Sequence, residues 1–145
     1  MGKKIKLLII NGPNLNLLGE REPVIYGKET LKDLESYLNK KYKDKVIFSF
    51  FQSNVEGEII DKIQEAKKLK VQGIIINAGA YTHYSLAIHD ALKSVNVPAV
   101  EVHLSNIYKR ETKRHESAIA PAVVGQISGF HFKSYMLAVE YFLQD

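Results

Sequence analysis

Ile5-Lys6-Leu7-Leu8-Ile9-Ile10-Asn11-Gly12-Pro13 is an aliphatic run stopped by three turn formers, which reads as a short strand buried on both faces. Gly73-Ile74-Ile75-Ile76-Asn77 carries the same signature. Between them, Thr30-Leu31-Lys32-Asp33 has the form of a capping box, and Leu31, Leu34 and Leu38 follow at helical spacing towards Tyr42. Val46 to Phe51 is β-branched and aromatic, as strands are. Ser53-Asn54-Val55-Glu56 reads as a second capping box, with Ile59, Ile60, Ile63 and Ala66 on one helical face. Beyond the central run, a helix is expected from about Ser85 to Ser94 with Leu86, Ile88, Ala91 and Leu92 as its apolar positions. Val97 to Val102 and Ala122 to Ile127 read as the fourth and fifth strands, and Tyr135 to Leu143 as a closing helix with Leu137, Ala138, Tyr141 and Phe142 among its apolar residues. Strand and helix alternating in this way predict an α/β chain with a doubly wound parallel sheet. The alternation does not give the strand order.

At 145 residues with 46% hydrophobic content, one domain spanning 1–145 is expected. There is no cysteine, which removes disulfides, thiolate metal sites and a cysteine nucleophile, and fits a reducing cytoplasm. The apolar run Leu7 to Ile10 is too short for a signal peptide or a membrane span, so no membrane partner is expected. A net charge of +4 is carried by scattered lysines, without the basic stripe and stacking aromatics that nucleic acid would want. Only Lys109, Arg110, Lys113, Arg114 and His115 form a compact basic cluster, suited to a small anion or to solvent.

In doubly wound folds ligands bind beyond the carboxyl ends of the strands. After the first strand come Asn11, Asn14 and Asn16, then a loop of about twenty residues holding Arg21 and Tyr26, long enough to suggest function or disorder. An arginine five residues from a tyrosine can stabilise a phenolate, although each residue alone reads as surface. After the third strand come Asn77, Thr82, His83 and Ser85, and after the fourth His103, Ser105, Asn106, Arg110 and Arg114. Glu101 and His103 are at strand spacing, so the carboxylate can orient the imidazole; the alternative is a structural histidine. His83 reads equally as a ligand contact or a helix-start residue, and His89, His115 and His131 as surface or packing residues. No histidine pair has metal-ligand spacing, so no metal is expected. Neither GxxxxGK[ST] nor GxGxxG follows the first strand, which removes the main support for a triphosphate or dinucleotide site.

Three motifs together resemble the type II 3-dehydroquinate dehydratases. They are Asn11-Gly12-Pro13-Asn14-Leu15-Asn16-Leu17-Leu18-Gly19-Glu20-Arg21-Glu22-Pro23 leading to Tyr26-Gly27, Asn77-Ala78-Gly79-Ala80-Tyr81-Thr82-His83-Tyr84-Ser85 leading to Asp90-Ala91, and Glu101-Val102-His103-Leu104-Ser105-Asn106 with Arg110 and Arg114. The resemblance implies a flavodoxin-like, five-stranded, three-layer sandwich and a cytoplasmic hydro-lyase of the shikimate pathway, serving chorismate and aromatic amino acid biosynthesis. It would act on 3-dehydroquinate without a cofactor, by anti elimination of water through an enolate. It further implies Tyr26 as proton acceptor, His103 as proton donor and Arg21 as the supporting charge, assisted by Asn14 and Glu101. Asn77, His83, Leu104, Ser105, Arg110 and Arg114 would contact substrate, and Asp90 would reach the substrate of a neighbouring subunit in a homododecamer of trimers. Ala78, Tyr108, Lys109, Lys113 and Ala118 depart from the common pattern and bear on lid packing and affinity.

The chemistry agrees with these roles. Dehydrating a β-hydroxy ketone needs a base at the carbon beside the carbonyl, stabilisation of the enolate, and an acid for a poor hydroxide leaving group. The alternative is a non-catalytic flavodoxin-like module that binds a small anion, since fold alone does not fix function. A phosphoacceptor receiver would want acids where Asn11 and Asn77 stand, and a flavin module a hydroxyl-rich loop after the first strand. RNA binding rests on net charge alone.

Overall fold

In the computed structural model residues 2–20 and 22–144 are described; Arg21 and the side chains of Ile25 and Tyr26 lie outside the described residues. Five parallel strands, β1 (Ile5–Asn11), β2 (Val46–Gln52), β3 (Gly73–Asn77), β4 (Ala99–His103) and β5 (Gly125–Ser128), form one sheet in the order β2-β1-β3-β4-β5. The helices are α1 (Pro23–Tyr26), α2 (Leu31–Lys41), α3 (Glu56–Glu65), α4 (Leu86–Val95) and α5 (Lys133–Leu143).

The two-faced burial of β1 builds both cores at once. Leu7 and Ile9 pack with Leu34 and Leu38 of α2 and with Tyr135, Ala138 and Val139 of α5. Leu8 and Ile10 pack with Ile59 and Ile63 of α3 and with Ile88 and Leu92 of α4. Alternate residues of one strand thus face opposite helical layers, giving a three-layer sandwich. Each of these four strand residues is fully buried, a gain of about 1.5–3 kcal/mol per side chain.

Because β1 lies between β2 and β3, the crossovers diverge beside it, and the loops after β1 and β3 leave a crevice at this switch point. Asn11 pairs in register with Asn77, bringing the two strand ends side by side. Just beyond, the chains almost touch: a Cβ on Gly12 would lie 2.5 Å from the Ala78 carbonyl oxygen, so only glycine fits there.

The Thr30 capping box forms as expected. Its hydroxyl accepts from Asp33 N and the Asp33 carboxylate accepts from Thr30 N. Thr30→Ala is expected to cost about 1 kcal/mol, read as a lower denaturant midpoint at unchanged slope. The second box does not form. Ser53 N still donates to Asn11 O as a continuation of β2, so the helix starts after Val55 and the Ser53 hydroxyl turns to Glu58 at 2.5 Å. Glu56 instead accepts from Ser85, the residue that caps α4.

Three further expectations need correction. β5 begins at Gly125 rather than Ala122, because Ala120–Ala122 forms a short 3-10 turn before the strand pairs with β4. β4 begins two residues later than expected, at Ala99. Leu86 is 69% exposed, and Leu137 and Tyr141 are about half exposed, so the buried faces are Ile88-Ala91-Leu92-Val95 on α4 and Tyr135-Ala138-Val139 on α5. No described helix is long and apolar enough to cross a membrane.

Candidate active site

A cavity of about 130 Å³ opens at the carboxyl ends of β1, β3 and β4, walled by Asn14, Asn77, His83, His103, Leu104, Ser105, Arg110 and Arg114 together with Pro13, Leu15, Gly79, Ala80 and Ile107. Eight of the expected site residues therefore meet in one place. Glu101 stands behind His103, fully buried, with its carboxylate 2.5 Å from Nε2. Asp90 does not line the cavity; its carboxylate is largely exposed on α4 and contacts His89 at 3.0 Å. Arg21 lies outside the described residues, as does the Tyr26 side chain, although the Tyr26 backbone closes α1.

The β4 pleat places Glu101 and His103 on one side of the strand, as the spacing predicts. With Glu101 ionised, its carboxylate accepts from Nε2–H, and Nδ1 is left for exchange with a ligand. Two residues not singled out from the sequence complete this group. Ser117 donates to Glu101 Oε1 at 2.8 Å, and Gln126 donates to Oε2 at 3.3 Å. Gln126 is the register partner of Glu101 across β4 and β5, so a known strand order would have exposed it. Ser117 has no local signal at all.

Burial alone would push the Glu101 carboxyl up. The His103 hydrogen bond and charge, followed by Ser117 and Gln126, more than reverse this and hold it below its ordinary value of 4.5. A depressed folded value means stability that is fully present above about pH 4.5 and lost as pH falls through the lower value. Melting curves of wild type and Glu101→Gln should accordingly converge on acidification. A constant gap from neutral pH to below the carboxylate range would refute that linkage.

His83 ends a 3-10 turn, Gly79–His83, after β3. Its Nδ1 donates to the Glu116 carbonyl at 2.7 Å, leaving an Nε2 lone pair. Burial pushes this imidazole below the usual histidine range, the Glu116 bond opposes that, and the charges of His103 and Arg114 add to the lowering. Its ring lies nearly parallel to that of His103, centroids 6.2 Å apart. Arg114 is held by Glu111 on the adjacent turn, and His115 donates from Nε2 to the Arg110 carbonyl. His115 thus braces the arginine segment.

Asn77 lines the cavity, but its amide already has inward work. Oδ1 accepts from Gly79 N at 3.1 Å, and Nδ2 donates to the hydroxyl of fully buried Tyr135, which in turn donates to Asn11. Asn14 adopts the left-handed conformation at φ 68°, and its N–H donates to Asn54. Of the departures from the common pattern, Ala78 is the residue pressed against Gly12, and Ala118 N donates to Thr82 O. Tyr108 is exposed and stacks at a tilt on His115.

The sequence matches the model of the family described as "Dehydroquinase class II" over residues 5–143. The chain belongs to that family. The 3-dehydroquinate dehydratase of Caldicellulosiruptor bescii is 59% identical over 135 residues, covering 92% of this chain and 93% of the relative. The enzyme of the same name from Clostridium botulinum is 54% identical over 140 residues, with 96% and 95% covered. Among solved structures, the type II dehydroquinase of Butyrivibrio crossotus superposes with a TM-score of 0.95 at 49% identity, covering 99% of this chain and all of that one. The flavodoxin-like strand order observed here is that of a type II dehydroquinase.

Proposed function

We propose that this chain removes water from 3-dehydroquinate to give 3-dehydroshikimate, as a hydro-lyase in the shikimate pathway leading to chorismate and the aromatic amino acids. Beside its family membership, the observation that carries this reading is the buried Glu101–His103 pair at the wall of a cavity lined by two arginines. An oriented imidazole next to anion-binding groups suits a small carboxylated substrate with a hydroxyl to be lost.

In this reading Tyr26, as a tyrosinate supported by Arg21, takes the proton beside the ketone. Asn14 donates to the enolate oxygen, directly or through water. His103 then protonates the departing hydroxide from Nδ1, with Glu101 holding the ring, and water leaves by anti elimination. Ser105 and the adjoining Leu104 backbone hold the carboxylate, with Asn77, His83 and Arg114 completing the substrate contacts. Arg110 and the segment of Arg21 and Tyr26 form a lid. The lid is supported by Gly19, at φ 93°, where a Cβ would come within 2.7 Å of the Lys28 carbonyl. The segment therefore leaves and returns at nearly one point.

The reading further takes residues 1–145 as one catalytic domain, active in the cytoplasm as a dodecamer of trimers in which Asp90 reaches a neighbour's substrate. The exposed apolar side chains Tyr84 and Leu86, close to Asp90 in sequence, support an interface there. The deciding experiment follows the ultraviolet absorbance of the conjugated enone formed from 3-dehydroquinate by metal-stripped protein. Turnover establishes the reaction. A folded, inert protein at neutral pH would instead favour a module that only binds small anions.

A further inference from the structure

We propose that Ser117, assisted by Gln126, is a positioning residue that keeps the shared proton of the Glu101–His103 pair on His103. The proposal rests on the reading of His103 as the acid. A carboxylate and an imidazole 2.5 Å apart can share their proton in two ways, as an ion pair or as two neutral groups. Glu101 is fully buried and His103 is 6% exposed, and burial favours the neutral arrangement because separated charges lose their hydration. A neutral His103 is a far weaker acid towards the leaving hydroxyl than an imidazolium.

Two donors tip the balance. The Ser117 hydroxyl accepts from Ala120 N at 3.0 Å, which orients the oxygen and directs its one proton to Glu101 Oε1 at 2.8 Å. Gln126 offers an amide N–H to Oε2, the oxygen that also faces His103, at a longer 3.3 Å from the exposed edge strand β5. Both bonds are stronger to an ionised Glu101 than to a neutral carboxyl, so both favour the charged form. The other charged or titratable groups facing the pair among the described residues are His83, stacked on His103 from the turn after β3, and Arg110 and Arg114 from the segment after β4. The two arginines carry fixed positive charge on that side, while burial pushes His83 towards its neutral form.

Ser117 also sits in a three-residue clamp. Glu116 O accepts from His83, Ser117 donates to Glu101, and Ala118 N donates to Thr82 O. A purely structural role would therefore shift Arg110 and Arg114 and show itself mainly in KM.

The test uses the full-length enzyme with Ser117→Ala, Ser117→Thr, Gln126→Leu and His103→Ala. Ser117→Ala is expected to lower kcat about 10- to 100-fold with KM changed less than about twofold, the scale set by losing a hydrogen bond to a charged group. Protonation of the leaving group becomes slower. The solvent deuterium isotope effect on kcat should therefore grow, and the effect of deuterium at the carbon losing its proton should shrink. Gln126→Leu should move the same readouts less, and Ser117→Thr, which retains the hydroxyl, should restore them.

Unchanged kcat and isotope effects in Ser117→Ala overturn the proposal, as does a loss confined to KM or one that threonine fails to restore in a folded protein. Should His103→Ala keep full activity, the acid assignment itself has failed. Should it be inactive while Ser117→Ala behaves as wild type, only the positioning role falls.

Discussion

Replacing His103 by alanine is expected to cut kcat for 3-dehydroquinate dehydration by about 10²- to 10⁴-fold, the usual worth of a placed acid. The described cavity wall offers one substitute, and it is a poor one. His83 has Nδ1 committed to Glu116, and burial lowers its hold on a second proton. The fold should survive. Losing His103 removes the interaction that most lowers the Glu101 carboxyl, so that group rises towards protonation and leaves no unpaired buried charge. Ser117 and Gln126 still hydrogen-bond it. Enone absorbance with circular dichroism as a fold control measures the effect, and imidazole added to the buffer should return part of the rate through the space vacated. Activity within about tenfold of wild type, well short of the expected loss, would place the acid elsewhere.

Tyr26→Phe is expected to be as severe, about 10²- to 10⁴-fold in kcat, while removing a single oxygen. Among the described residues lining the cavity, only His83 and His103 are ordinary acid–base groups. His103 has the acid's part in the proposed reaction, and His83 has Nδ1 committed to Glu116 and is pushed by burial below the usual histidine range. The proposed base, Tyr26, comes from outside the described wall, at the end of α1, on the segment pinched at Gly19 and followed by Gly27 at φ 82°. Arg21→Ala should then move the alkaline-favoured limb of kcat/KM to higher pH, because the tyrosinate loses its cation and its acidity with it. Wild-type turnover in the Tyr26→Phe variant would end the tyrosinate mechanism.

The Glu101–His103 pair of the candidate site was legible from residue order because its geometry is local. Glu101 and His103 are two residues apart, and a strand puts such residues on one side wherever it lies in the sheet. The Thr30 box was legible for the same reason, its two bonds spanning three residues. Ser53-Asn54-Val55-Glu56 has an equally good local pattern and failed. Asn11, 42 positions away in the chain, claims the Ser53 N–H and extends the strand direction past the expected cap. Tertiary pairing outweighed local propensity there.

Sequence periodicity by itself determined that the chain alternates strands with helices, which runs are central, and which polar residues stand beyond the strand ends, because side-chain direction repeats every two residues in a strand and about every 3.6 in a helix. Motif spacing likewise brought His83, Ser105, Arg110 and Arg114 to one edge, where they line one cavity. Tertiary structure alone decided the order β2-β1-β3-β4-β5, the exposure of Leu86, Leu137 and Tyr141, the inward commitment of Asn77, and the two donors on Glu101. Each of these depends on which distant segment arrives as a neighbour. Ser117 and Gln126 lie 16 and 25 residues from Glu101, and only the crossover from β4 to β5 brings a hydroxyl and an amide onto one buried carboxylate.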